Sequence, residues 1–198
     1  LVRSRGLGDV YKRQMLENEP TAPLSVYGKT KLAGDEAILA NSPSSVILRT
    51  SWVYGARGRN FMLTMLKLAA ERNELRVVAD QFGAPTPAWL IAQVTALVIR
   101  ARASGNDAIH GVYHLTCRGD TSWCGFAREI IRLAGERGAE LKMGEQRVFP
   151  IPTSEYPAPA PRPKNSRLDV SRIEQALAIQ LPGWKAALSV TLGDWHKD

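Results

Sequence analysis

Cysteine is scarce in this chain: Cys117 and Cys124 are the whole supply, seven residues apart. That spacing makes neither a C-x-x-C pair nor a disulfide framework, and two reduced thiols in a cytoplasmic protein is the expected state. No stretch approaches the roughly 18 consecutive apolar residues of a membrane span, and the N-terminus carries no apolar core of a secretory signal. No membrane partner is therefore expected. His110, His114 and His196 show no metal-ligand spacing, so no metal site is expected either. Glycine-rich phosphate-binding sequence is missing too. Gly6 and Gly8 form a lone G-x-G with no strand before it and no third glycine. The dinucleotide fingerprint needs strand, glycine turn and helix together.

What is present is ordinary for a globular protein: 198 residues, 44% hydrophobic and 23% charged. That length suits one good core, or one large domain of which only part is here. The net charge of +7 raises a nucleic-acid partner, but its distribution argues against one. Residues 1–14 carry +3 of it, through Arg3, Arg5, Lys12 and Arg13 against Asp9. The remainder spreads 22 basic and 18 acidic residues over the chain, with no basic stripe interleaved with aromatics. A modest basic excess suits an anionic small molecule.

Residues 1–14 show neither helical nor strand periodicity and read as a non-native or disordered leader, excluded from fold reasoning as a tag would be. From Met15 the chain becomes structured. A Pro-bounded loop leads into a helix from about Ser25 to Ala40, and Ser45 to Ser51 reads as a strand buried on both faces. Asn60 opens a second helix, Leu75 to Ala79 makes a strand, and Thr86-Pro87 reads as N-cap and first position of a helix reaching about Ala103. Val112 to Leu115 is a strand, and Asp120 or Thr121 caps a helix through about Ala134. Beyond residue 147 a Pro-rich stretch, interleaved with Val148, Ile151 and Tyr156, reads as an ordered wrap. Helices over Ser171–Leu177 and near Trp184–Leu192 close the chain. Strands alternating with helices predict an α/β fold with a mainly parallel sheet.

Tyr27 and Lys31 stand four apart near the start of the first helix, so they share a face that Lys29 does not. An ammonium beside a phenol favours the phenolate, and a tyrosine so placed can donate a proton to a developing alkoxide. Alone the pair is a weak signal, because Tyr and Lys are common on amphipathic helices.

Its surroundings are more specific. Thr21 to Gly34, Leu48-Arg49-Thr50-Ser51-Trp52-Val53-Tyr54-Gly55, Val77 to Thr86, Tyr113 to Thr116, Thr121-Ser122-Trp123 and Arg162 to Asp169 occur in this order. Together these blocks resemble the extended short-chain dehydrogenase/reductases, and within them the dTDP-4-dehydrorhamnose reductase family. The resemblance covers about residues 15–195. It implies the C-terminal part of a Rossmann-like doubly wound parallel sheet plus a small α/β substrate-binding region, over residues 15–198. It also implies reduction of dTDP-4-dehydro-L-rhamnose to dTDP-L-rhamnose with NADPH or NADH. Tyr27 would be the proton donor, and Lys31 would favour the phenolate and hydrogen-bond the nicotinamide ribose. Both would thus be catalytic and cofactor-binding. Trp52 would contact the substrate. Arg49, Asn60, Gln81 and Thr86 are weaker candidates for reaching the diphosphate or shaping the pocket, and Arg162 and Lys164 read as exposed charges.

The chain departs from the family in one respect. The glycine-rich turn and the strand ending in a catalytic Thr or Ser would stand upstream of Glu17, and neither is found. The expectation is a fragment that holds NADPH poorly, does not turn over alone and leaves apolar sheet edges uncovered. The full-length protein, a possible homodimer, would be the enzyme. Two other readings stay open: a nucleotide-sugar epimerase or dehydratase of the same superfamily, and a non-catalytic relative of the methionine adenosyltransferase regulatory-subunit type.

Overall fold

The computed structural model describes residues 13–156 and 162–195. The greater part of residues 1–14, together with Pro157, Pro159, Pro161 and His196, lies outside them. Arg13 and Gln14 are described. The Arg13 carbonyl accepts from Asn165 Nδ2 at 2.9 Å, and Gln14 Nε2 donates to the Leu168 carbonyl at 3.3 Å.

The elements follow the expected alternation. Helix α1 (Val26–Asn41) precedes strands β1 (Val46–Arg49) and β2 (Val53–Tyr54). Then come α2 (Phe61–Glu71), β3 (Leu75–Val78), β4 (Phe82–Gly83), β5 (Thr86–Pro87) and α3 (Ala88–Ala103). Strands β6 (Gly111–His114) and β7 (Thr121–Ser122) lead into α4 (Trp123–Glu136) and β8 (Val148–Ile151). Strand β9 (Asn165–Ser166) and helices α5 (Ser171–Leu177) and α6 (Trp184–Gly193) complete the fold. Four pairings are parallel and join strands separated by helices: β1 with β6, β2 with β5, β3 with β8 and β4 with β9. Strand β4 lies between β9, parallel, and β7, antiparallel. Parallel neighbours need such crossovers, so the α/β architecture is the one the alternation predicted.

The core sits between α2, α4 and α6. On α4 the buried residues Phe126, Ala127, Ile130, Ile131 and Ala134 recur at helical spacing, so one face is apolar and turns inward. Met62, Met65, Leu66 and Ala69 of α2 and Leu188 and Leu192 of α6 meet that face. The Pro-rich stretch is ordered where it is described, since β8 pairs along β3 from Leu75↔Val148 to Val78↔Ile151.

Three local expectations are corrected. Thr86 does not cap α3: it lies in β5, fully buried, and Pro87 takes the cap position. The Thr86 hydroxyl instead donates to the Ala84 carbonyl at 2.9 Å and accepts from Cys117 N–H at 3.2 Å. Strand β1 is not buried on both faces. All four of its residues are half-buried, because among the described strands it pairs with β6 alone. The first turn of α4 is capped by Ser122, one or two residues later than expected, through Ser122 Oγ and Gly125 N–H at 3.0 Å.

Candidate active site

Helix α1 starts where it does because Ser25 adopts extended backbone and its hydroxyl accepts from Gly28 N–H at 3.1 Å. Gly28 packs closely there: a Cβ would stand 3.0 Å from Pro23 Cβ, tighter than ordinary van der Waals contact. The cap places Tyr27 and Lys31 in the first two turns, on one face, and both are exposed, Tyr27 at 73%. Asp35 continues the same face one turn on. Its carboxylate accepts from Arg49 Nε at 2.8 Å, pinning the helix to the last residue of β1. Eight residues separate Asp35 from Tyr27, about 12 Å along the helix axis. Ligands of α/β sheets bind in the crevice outside the carboxyl ends of the strands.

Trp52 leaves β1 at the same carboxyl end. Its φ of +52° puts a bulky residue in the left-handed region, strain that the surroundings must hold. They do so on both sides of the ring. Trp123, the first residue of α4, stacks on it with ring centroids 3.6 Å apart and planes 9° apart. On Gly83 of β4, a Cβ would meet indole Cε2 at 2.8 Å, Nε1 at 2.9 Å and Cδ2 at 3.2 Å. Those three distances are reached only from above the ring, and Trp123 leaves no room on its own side. Gly83 therefore covers the opposite face.

The weaker candidates all have partners within the protein. Arg49 holds Asp35, and Asn60 caps α2 by accepting from Leu63 N–H at 3.2 Å. Gln81, buried, donates to Thr153 Oγ1 at 3.2 Å, and Thr86 bridges to Cys117. Lys164 pairs with Asp80 at 3.1 Å, and Arg162 is exposed. Burial works against ionisation of Asp80, but hydrogen bonds from Thr153 and Lys164 outweigh it and hold the carboxyl below its ordinary range. Asp80, Gly83 and Trp123 had not been singled out individually in the sequence. Both cysteines are free and buried, and burial pushes the Cys117 thiol up to about 12. Among the described residues no group of three His, Cys, Asp or Glu could hold a metal ion, and no helix is long and apolar enough to cross a membrane. Three surface cavities of about 510, 550 and 520 Å³ are lined by none of Tyr27, Lys31 and Trp52.

A family profile described as the RmlD substrate binding domain matches residues 8–196. The chain belongs to this family. Among its relatives, this RmlD-type chain is 44% identical over 179 residues to the dTDP-4-dehydrorhamnose reductase of Shigella flexneri, covering 90% of itself and 59% of that protein. It is similar to the crystal structure of a dTDP-4-dehydrorhamnose reductase from Clostridium acetobutylicum, with a TM-score of 0.78 and 37% identity, covering 92% of itself and 60% of that chain. It is also similar to the Bacillus anthracis dTDP-4-dehydrorhamnose reductase in complex with NADP, with a TM-score of 0.77 and 31% identity, over 92% and 60%. The chain thus spans about three fifths of the length of these relatives. The α/β fold of the RmlD-type chain is that of its solved neighbours.

Proposed function

We propose that this chain supplies the proton-donating helix and the sugar-binding side of a reductase that converts dTDP-4-dehydro-L-rhamnose to dTDP-L-rhamnose. The observation that carries this reading is the placement of Tyr27 and Lys31, exposed and one turn apart on a capped helix pinned beyond the carboxyl end of β1. The identity to the Shigella flexneri reductase supports it.

Tyr27 delivers its phenolic proton to the sugar C4 oxygen as that oxygen gains negative charge. Lys31 stands on the same face, where its ammonium stabilises the phenolate left behind. A nicotinamide cofactor, when bound, supplies the hydride. The residues present fit one end of such a cofactor. Tyr27 and Lys31 are exposed donors suited to ribose hydroxyls, whereas the 198 residues contain no G-x-G-x-x-G turn for its pyrophosphate. Binding the whole cofactor therefore requires groups beyond those described. Whether NADPH or NADH is preferred belongs to those groups.

The test is a chimera joining this chain to the segment of the Shigella flexneri reductase that it leaves unmatched. Cofactor oxidation that depends on dTDP-4-dehydro-L-rhamnose is the expected result, with none from the 198-residue chain alone. A folded chimera that leaves this substrate untouched would exclude the reading.

A further inference from the structure

Trp52 cannot offer a ring face to a sugar, because Trp123 and Gly83 occupy both faces. What remains is its edge. Among the described residues no hydrogen bond is made by Trp52 Nε1, and the residue is only half-buried. An indole N–H in a partly apolar setting calls for an acceptor. We propose that Trp123 is a positioning residue that clamps Trp52 against Gly83, so that the indole edge, with its N–H, meets the hexose of a dTDP-sugar. This rests on the reading above and names a residue for it.

The clamp is anchored in the core. Trp123 opens α4 behind its Ser122 cap and packs against Phe61, the first residue of α2, with centroids 4.7 Å apart and planes at 48°. Phe61 in turn stacks on Phe126, which is fully buried, at 5.5 Å and 16°. Two helix starts therefore hold Trp123, and Trp123 holds Trp52 in its left-handed backbone conformation. The Trp52 carbonyl accepts from Thr86 N–H at 3.2 Å, which fixes the other side of the same residue. An aromatic pair contributes beyond its buried area, and here it also selects one orientation for a residue that would otherwise relax.

The test uses the 198-residue chain with dTDP-L-rhamnose as the probe. Two parallel indoles in contact give an exciton couplet in circular dichroism, and Trp52→Phe and Trp123→Phe should each abolish it. Trp123→Ala should weaken dTDP-L-rhamnose binding by about tenfold, the scale of one aromatic contact, and Trp123→Phe should recover most of it. A packing role alone would lower the melting temperature of Trp123→Ala and leave the dissociation constant unchanged. Should Trp123→Ala not fold, Gly83→Ala tests the clamp from the opposite face and should weaken binding as well. A couplet that survives Trp52→Phe, an unchanged dissociation constant in a folded Trp123→Ala or Gly83→Ala, or no binding by the unsubstituted chain would each overturn the proposal. Failure of the reductase reading looks different: the chimera would not reduce the keto-sugar even though Trp123 still governed binding.

Discussion

His114 shows how a single residue reports on its surroundings. Its backbone N–H donates to Glu17 Oε1 at 2.9 Å, and its ring is buried, with backbone of Met15 and Asp169 close by. Burial pushes its pKa below the ordinary 6.5; the Glu17 carboxylate opposes that shift and the Arg49 guanidinium adds to it. The folded state thus binds a proton less readily than the unfolded chain does. Stability from this residue is complete above the unfolded value near 6.5 and is lost as the pH falls below it. His114→Gln should flatten the decline in melting temperature between pH 7 and about 5, measured by thermal denaturation across that range; an unaltered slope would show that other groups cause it. The position of His114 in a strand was legible from Val112-Tyr113-His114-Leu115. The contact with Glu17 was not, because 97 residues separate the two. Trp123 was missed for the same reason. It was read only as part of a family block, and its partner Trp52 lies far away in the chain.

At the scale of elements, helices were more legible than strands. Helices α2, α4 and α6 were each expected near where they lie, α2 from its apolar spacing and α4 from a capping residue, and each turns one face into the shared core. Helix α1 was equally clear from its Ser25 start, although it buries no residue at all. The Val-Ile-Leu run of β1 was read as a doubly covered strand. Such composition records the neighbours a strand suits, and among the described strands β1 has one. Thr86-Pro87 carried a second ambiguity, because a Thr before a Pro suits extended backbone as well as a helix cap. In β5 the Thr86 hydroxyl joins the strand to the segment after β6 by accepting from Cys117 N–H. Thr86→Val keeps the shape and strands that buried donor, which costs about 1–3 kcal/mol. Urea unfolding should show the loss as a lower midpoint with an unchanged slope. No change would mean that the hydroxyl is dispensable.

At the scale of the whole molecule, the described residues leave a strand edge and several apolar side chains open. The outer edge of β1 has no described partner strand, and Leu24, Val26, Tyr27 and Ile38, on or just before the helix tied to β1 through Asp35 and Arg49, are exposed at 59%, 75%, 73% and 47%. An open edge next to apolar side chains is a template for association. The 198-residue chain should therefore self-associate increasingly with concentration in sedimentation velocity, and a monodisperse monomer at high concentration would contradict this. Tyr27 and Lys31 belong to the helix that Asp35 ties to the last residue of β1. The central claim is that Tyr27 donates the proton, and the most direct measurement is steady-state reduction of dTDP-4-dehydro-L-rhamnose by the chimera with and without Tyr27→Phe. Loss of the phenolic proton should lower kcat by at least about a hundredfold, the usual scale of general acid catalysis, while KM stays within about threefold, because the ring remains. A Tyr27→Phe chimera that keeps its kcat would contradict the account.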